Sequence, residues 1–210
     1  IQEMGYESPM PVQEEVIPFL LGDDNDVIAL AQTGTGKTAA FGLPILQKID
    51  VTTYHPQALV LCPTRELCLQ IADDLNDYSK YIDNLKVLPV YGGSSIESQI
   101  KTLKRGVHVV VATPGRLLDL MNRKTVDLSL VKNVIMDEAD EMLNMGFTDS
   151  INAILAEVPE NRNMLLFSAT MPKEIANITK KYMKNPKEIV IGNKNEGNKN
   201  IRDIDYMVQA

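Results

Sequence analysis

The segment Ala31-Gln32-Thr33-Gly34-Thr35-Gly36-Lys37-Thr38 places two glycines, a lysine and a hydroxyl residue directly behind an apolar run. Glycines let a chain turn its backbone N–H groups inward around phosphate oxygens. A helix that starts there adds the positive end of its dipole. In such a loop Lys37 would reach the β- and γ-phosphates of a nucleotide, and the Thr38 hydroxyl would bind Mg²⁺. The usual phosphate-loop pattern begins with glycine; Ala31 holds that place here. A second constellation, Val134-Ile135-Met136-Asp137-Glu138, is an apolar run that ends in two carboxylates. Asp137 suits the Mg²⁺ shell opposite Thr38, and Glu138 suits positioning and deprotonating an attacking water. Two acids behind a strand would also fit a solvated turn. Paired with the loop they read as hydrolysis of a nucleoside triphosphate with Mg²⁺.

These groups need a scaffold, and the hydrophobic pattern supplies one. Short runs rich in Val, Ile and Leu predict strands at Asp26–Ala31, Ala58–Cys62, Lys86–Tyr91, Val107–Ala112, Asn133–Met136, Met164–Phe167 and Glu188–Ile191. They are apolar almost throughout, as strands covered on both faces are. Between them, Leu67, Ile71, Leu75 and Tyr78 recur at helical spacing, as do Ile96, Ile100 and Leu103, and Ile151, Ile154, Leu155 and Val158. Strand–helix alternation implies an α/β fold, a parallel sheet of about seven strands with helices on both faces. Six of the strands are followed at once by an unusual cluster: Gln32–Thr38, Pro63-Thr64-Arg65-Glu66, Gly92-Gly93, Thr113-Pro114-Gly115-Arg116, Asp137–Asp140 and Ser168-Ala169-Thr170. In a parallel sheet these points share the carboxyl edge, where open α/β sheets bind ligands.

The chain has 210 residues, 44% of them hydrophobic, which is enough for one domain and too little for two. No run approaches the roughly 18 apolar residues of a membrane span, and Ile1–Tyr6 is not a signal peptide. A start at Ile1 rather than Met suggests residues ahead of it. Cys62 and Cys68 match neither a zinc ribbon nor a redox Cys-x-x-Cys pair and read as buried thiols of a reducing compartment. His55 and His108 are isolated. The net charge of -7, from 21 basic and 28 acidic residues, argues against a broad basic surface, so any nucleic-acid contact must be local. Lysines 173, 180, 181, 184 and 187 read as a solvated face, because Ile175, Ile178 and Tyr182 occupy the other side of their helix. Asn193–Asn200 has no apolar residue and reads as a linker.

Asp137-Glu138-Ala139-Asp140, with Met142, Leu143, Gly146 and Phe147, resembles the extended motif of the DEAD-box RNA helicases. The alanine-led Ala31–Thr38 is that family's form of the phosphate loop. Pro63-Thr64-Arg65-Glu66-Leu67 with Gln70, Gly92-Gly93, Thr113-Pro114-Gly115-Arg116 and Ser168-Ala169-Thr170 are similar to its remaining first-domain motifs, in the family's order. Gly5–Gln13 is similar to the Q motif, with Met10 where the family usually has Thr.

The resemblance implies a RecA-like P-loop domain over 1–192, the start of an interdomain linker at 193–210, and a second RecA-like domain beyond. It implies ATP and Mg²⁺ as cofactors, with Gln13 pairing with the adenine edge and Tyr6 stacking on its face. An amide offers donor and acceptor together, and an aromatic ring offers a flat wall. The family's RNA contacts map onto Pro63, Thr64, Arg65, Gly92, Gly93, Thr113, Gly115 and Arg116. These are donors to phosphate rather than base readers, so binding should be independent of base sequence. A few placed donors can thus serve where a basic surface is lacking. Ser168-Ala169-Thr170 would bond the acidic motif at Asp140 and join nucleotide state to closure of the two domains over single-stranded or duplex RNA. The missing arginine fingers, worth roughly 10³ to 10⁵ in rate, would leave residues 1–210 alone nearly inactive. An ATP-gated RNA clamp with little unwinding would carry the same first-domain motifs. Discrimination against DNA rests on 2′-hydroxyl contacts and is assigned by resemblance. The acidic balance and lack of a targeting signal fit a cytoplasmic protein.

Overall fold

Side chains alternate along each strand and divide the core in two. The computed structural model describes residues 1–22, 26–32, 34 and 36–192. The predicted linker at 193–210, and Thr33 and Thr35 of the glycine loop, lie outside the described residues. Seven strands form one sheet: β1 (Val27–Leu30), β2 (Ala58–Leu61), β3 (Val87–Val90), β4 (Val109–Ala112), β5 (Asn133–Met136), β6 (Asn163–Ser168) and β7 (Lys187–Val190). Their order is β3-β4-β2-β5-β6-β1-β7, and every pairing is parallel.

Val27, Ala29, Val60, Val109, Val111, Ile135, Leu165 and Phe167 face one core. It is closed by α1 (Pro11–Leu21), α2 (Lys37–Lys48) and α3 (Arg65–Tyr78) through Val16, Phe41, Ile71 and Leu75. Ile28, Leu59, Leu61, Val110, Val134, Met136, Met164 and Leu166 face the other. That side is covered by α4 (Ile96–Arg105), α5 (Pro114–Asn122), α6 (Ala139–Asn144), α7 (Thr148–Glu157) and α8 (Lys173–Tyr182). Each fully buried Leu, Ile or Phe in these layers contributes roughly 1.5–3 kcal/mol of transfer free energy. Such continuous burial explains why the central strands read as unbroken apolar runs.

The two edge strands depart from that pattern. Three of the four residues of β7 are exposed, Val190 at 69%. A charged, short edge strand discourages pairing with another chain. β3, at the other edge, accommodates Pro89, whose missing N–H is tolerated where only one side is paired.

Strand starts also shift by a residue or two from the sequence reading, and two buried side chains there take up backbone donors. Asp26, ahead of β1, accepts from Met164 N at 2.7 Å and Lys184 N at 2.6 Å. His108, ahead of β4, accepts from Lys86 N through Nδ1 at 2.9 Å, so its Nε2–H donates to Val51 O at 3.0 Å. Both residues are buried, and both serve the sheet at its amino edge.

Candidate functional site

The register brings the carboxyl ends of the strands level. Leu30 lies beside Ser168, Leu61 beside Met136 and Ala112, and Val90 beside Ala112. Every cluster singled out in the sequence therefore leaves the same edge of the sheet.

Behind β1, Gly34 and Gly36 hold φ of 80° and 76°, conformations that a side chain would strain. Gly36 is also the residue ahead of α2, and a Cβ there would stand 2.7 Å from Gln13 Nε2 and 2.7 Å from Met10 Sδ. Gln13 reaches this turn from α1: its Nε2 donates to Gly36 O at 3.2 Å, while its Oε1 accepts from Met10 N at 2.9 Å. The Q-like segment and the glycine loop are thus one hydrogen-bonded unit. Tyr6 takes a different partner. Its hydroxyl bonds that of Tyr78 at 3.0 Å, and the rings meet edge-on at 6.4 Å.

Lys37, the first residue of α2, sends Nζ to Asp137 Oδ1 at 3.1 Å, with both side chains at most 8% exposed. Phe167 lies 5.9 Å below the ammonium. Asp137 Oδ1 also accepts from Glu138 N at 2.9 Å. Glu138 itself has φ 50°, a left-handed conformation that costs a non-glycine residue on the order of 1 kcal/mol or more. Burial, then the neighbouring Asp137, push its carboxyl above the ordinary carboxylate range. A strained acid with a raised proton affinity suits a base.

No group of three or more His, Cys, Asp or Glu side chains among the described residues could hold a metal. Mg²⁺ does not need one: it is commonly held by one or two carboxylates, with waters and substrate phosphates completing the shell. Asp137 and Thr38, at the ends of two neighbouring loops, fit that donor set.

Across the sheet, Asp140 Oδ2 accepts from Thr170 N at 3.0 Å and from Thr170 Oγ1 at 2.9 Å. The Ser168 hydroxyl turns inward instead and donates to Thr170 O at 2.7 Å. Of the two expected hydroxyls only Thr170 meets Asp140; Ser168 braces the turn that presents it. Ala169 is exposed.

The loops behind β2, β3 and β4 form the third part. Pro63 is buried, and Thr64 caps α3 by accepting from Leu67 N at 3.2 Å, which leaves its hydroxyl proton free to be donated. Arg65 lies 5.0 Å above the Tyr91 ring. Gly93 turns with φ 84°, and a Cβ there would sit 3.7 Å from Arg65 Nη1. Thr113 precedes α5 without capping it, Pro114 opens the helix, and Gly92 and Gly115 are exposed. Arg116 Nη1 donates to Ser94 O at 3.0 Å and to Gln99 Oε1 at 3.1 Å. Tyr91, Ser94 and Gln99 were not marked by the sequence reading. Gln99 is polar on an otherwise amphipathic helix, and only the fold shows that it is 6% exposed.

Cys62 and Cys68 are free and buried; a hydrogen bond donated to Cys68, and then burial, push the Cys62 thiol up, away from reactivity. No helix among the described residues is long and apolar enough to cross a membrane.

A wholly parallel sheet whose carboxyl edge carries a glycine loop, a lysine opening the next helix and a carboxylate at the end of another strand defines a phosphate-loop nucleotide-binding α/β domain. The DEAD/DEAH box helicase family profile matches residues 10–178, and the chain belongs to that family. It is similar to the ATP-dependent RNA helicase DeaD of Mycobacterium tuberculosis (strain ATCC 25618 / H37Rv), 53% identical over 189 residues that make up 90% of this chain and 33% of that protein. DeaD of Escherichia coli (strain K12) is 49% identical over 191 residues, 91% of this chain and 30% of that protein. The crystal structure of a DEAD box protein from the hyperthermophile Methanococcus jannaschii superposes with a TM-score of 0.86 at 46% identity, covering 90% of this chain and 52% of that one. The chain thus spans about a third of the length of the curated relatives it matches.

Proposed function

We propose that residues 1–192 are the first, ATP-binding RecA-like domain of an RNA helicase, with 193–210 opening the linker to a second such domain. The observation that carries this reading is the single edge on which a Lys37–Asp137 pair, an Asp140–Thr170 link and two arginines with no carboxylate within 4.0 Å among the described residues stand in adjacent loops.

ATP with Mg²⁺, when bound, supplies the phosphoanhydride whose hydrolysis drives the cycle. The rest is work for this chain. Gln13 reads the adenine edge while its amide keeps Gly36 in the turn, and Tyr6 lies against the base. Backbone N–H groups of Gln32, Thr33, Gly34, Thr35, Gly36 and Lys37, behind Ala31, cradle phosphate oxygens. Lys37 Nζ exchanges Asp137 for phosphate, a transfer between two anionic partners. Asp137 and the Thr38 hydroxyl would hold the metal. Glu138 orients the attacking water and takes its proton on the carboxylate.

Pro63, Thr64, Arg65, Gly92, Gly93, Thr113, Gly115 and Arg116 bind the RNA sugar-phosphate backbone. Asp140 and Thr170 tie the catalytic strand to the one that follows it, so that occupancy of the nucleotide site alters the edge on which RNA lies. Relatives named ATP-dependent RNA helicase support the assignment.

The test uses the full-length protein. ATP hydrolysis is measured alone, with single-stranded RNA, and with single-stranded DNA of the same sequence, followed by strand displacement on a short RNA duplex. The expected result is stimulation by RNA and not by DNA, with ATP-dependent displacement. Equal stimulation by both, or by neither, overturns the RNA assignment. Stimulation without displacement favours a clamp.

A further inference from the structure

Arg65 and Arg116 stand in the first turns of different helices, α3 and α5, and each needs a fixed orientation to meet a phosphate. The turn between β3 and α4 lies between them, and one buried side chain ties it down. Gln99 stands on α4 at 6% exposure and uses both ends of its amide. Its Nε2 donates to Tyr91 O at 3.2 Å and to Ser94 Oγ at 2.9 Å. Its Oε1 accepts from Arg116 Nη1 at 3.1 Å, and the same nitrogen donates to Ser94 O at 3.0 Å. Tyr91, whose carbonyl Gln99 holds, carries Arg65 on its ring at 5.0 Å. The amide joins the turn behind β3 to Arg116, and the Tyr91 ring in turn carries Arg65.

We propose that Gln99 is a positioning residue for RNA: it splints the Gly92-Gly93 turn to Arg116, so that the loops behind β2, β3 and β4 present their donors as one surface. The inference rests on the RNA-binding reading of that surface and adds to it a residue that is too buried to be one of the exposed phosphate donors. The chemistry explains the residue type. The position requires two donors towards the turn and one acceptor towards a guanidinium, which a primary amide alone supplies. A carboxylate would face the Tyr91 carbonyl with like charge and would neutralise Arg116. An amide holds the guanidinium by one nitrogen and leaves its full charge for a phosphate.

The experiment measures binding of a fluorescent single-stranded oligouridylate to full-length protein with a non-hydrolysable ATP analogue, across a salt series. The variants are Gln99→Ala, Gln99→Glu, Arg116→Ala and the Gln99→Ala/Arg116→Ala double. Binding of the nucleotide analogue and the melting temperature report folding.

Arg116→Ala should weaken RNA binding about tenfold and flatten the plot of log affinity against log salt by roughly 0.7, one phosphate contact on a single strand. Gln99→Ala, which removes no charge, should flatten it in the same direction, because Arg116 loses its orientation. The double variant should bind about as Arg116→Ala does, since the two residues act as a unit. Gln99→Glu keeps the side-chain size and should weaken RNA at least as much as Gln99→Ala while nucleotide binding stays unchanged; it carries the test if Gln99→Ala does not fold.

Losses that multiply in the double variant, or weaker binding by Gln99→Ala with an unchanged salt slope, overturn the proposal. Wild-type affinity in Gln99→Ala beside weakened Arg116→Ala overturns it while the RNA reading stands. No RNA binding by the wild-type protein overturns both.

Discussion

Lys37 and Arg116 both stand just inside helices that follow strands of one sheet, yet they are held by partners of different charge. Lys37 is paired with a buried carboxylate at 3.1 Å. Arg116 rests on a carbonyl and an amide oxygen, and Arg65 on an aromatic ring; among the described residues neither has a carboxylate within 4.0 Å. The difference suits their proposed ligands. A cation enclosed in low dielectric needs a counter-charge whenever its ligand is gone, because an unpaired buried charge is costly. An arginine at the surface keeps its hydration, and a neutral holder leaves its charge available. In a chain of net charge -7, two arginines not engaged in close ion pairs among the described residues make a local attraction for phosphate that the total charge conceals.

The sharpest way to break this comparison is Lys37→Ala. It strands Asp137 in a buried site and should cost about 3 kcal/mol or more of stability in urea denaturation, besides abolishing hydrolysis. A change below about 0.5 kcal/mol would mean that water screens the pair and that the two regions do not differ.

Asp26→Ala tests the opposite edge of the sheet. It orphans Met164 N and Lys184 N and should cost about 2–3 kcal/mol, yet leave the RNA and nucleotide affinities of the folded protein unchanged. Altered affinities would show that the two edges are coupled.

Thr170→Val removes the hydroxyl bond to Asp140 and keeps the backbone one. We expect a stability loss of about 1 kcal/mol and a reduced RNA stimulation of ATP hydrolysis at an unchanged basal rate. Full stimulation would detach that link from coupling.

Arg116→Ala should cost no more than about 1 kcal/mol by thermal melting, since water can enter to replace its bonds to Ser94 and Gln99, while its effect on RNA is the one described above. A large melting shift would make Arg116 a structural residue and dissolve the contrast with Lys37.

Much of the site was legible in the chain because its chemistry is local. Backbone N–H groups, a lysine and a hydroxyl that must meet one phosphate group lie within eight residues, so Ala31–Thr38 carries its own signature. Strand cores were legible for a related reason: burial on both faces leaves an apolar run that composition alone reveals. Where the reading slipped, a distant side chain had intervened. β3 begins at Val87 rather than Lys86, where the His108 side chain takes the Lys86 N–H. Ser168 and Thr170 looked equivalent, and only the turn that joins them sends one hydroxyl to Asp140 and the other to a carbonyl.

By itself, then, the sequence determined the element order, the parallel sheet and the candidates for phosphate contact, since each depends on periodicity or on neighbours a few residues apart. The tertiary structure decided which charges are paired, which hydroxyl meets Asp140 and which guanidinium meets a buried glutamine on α4. Those are contacts between segments 17 to 100 residues apart, as Arg116 to Gln99 and Lys37 to Asp137 are. They are set by strand order and by burial, and neither quantity is written in local sequence.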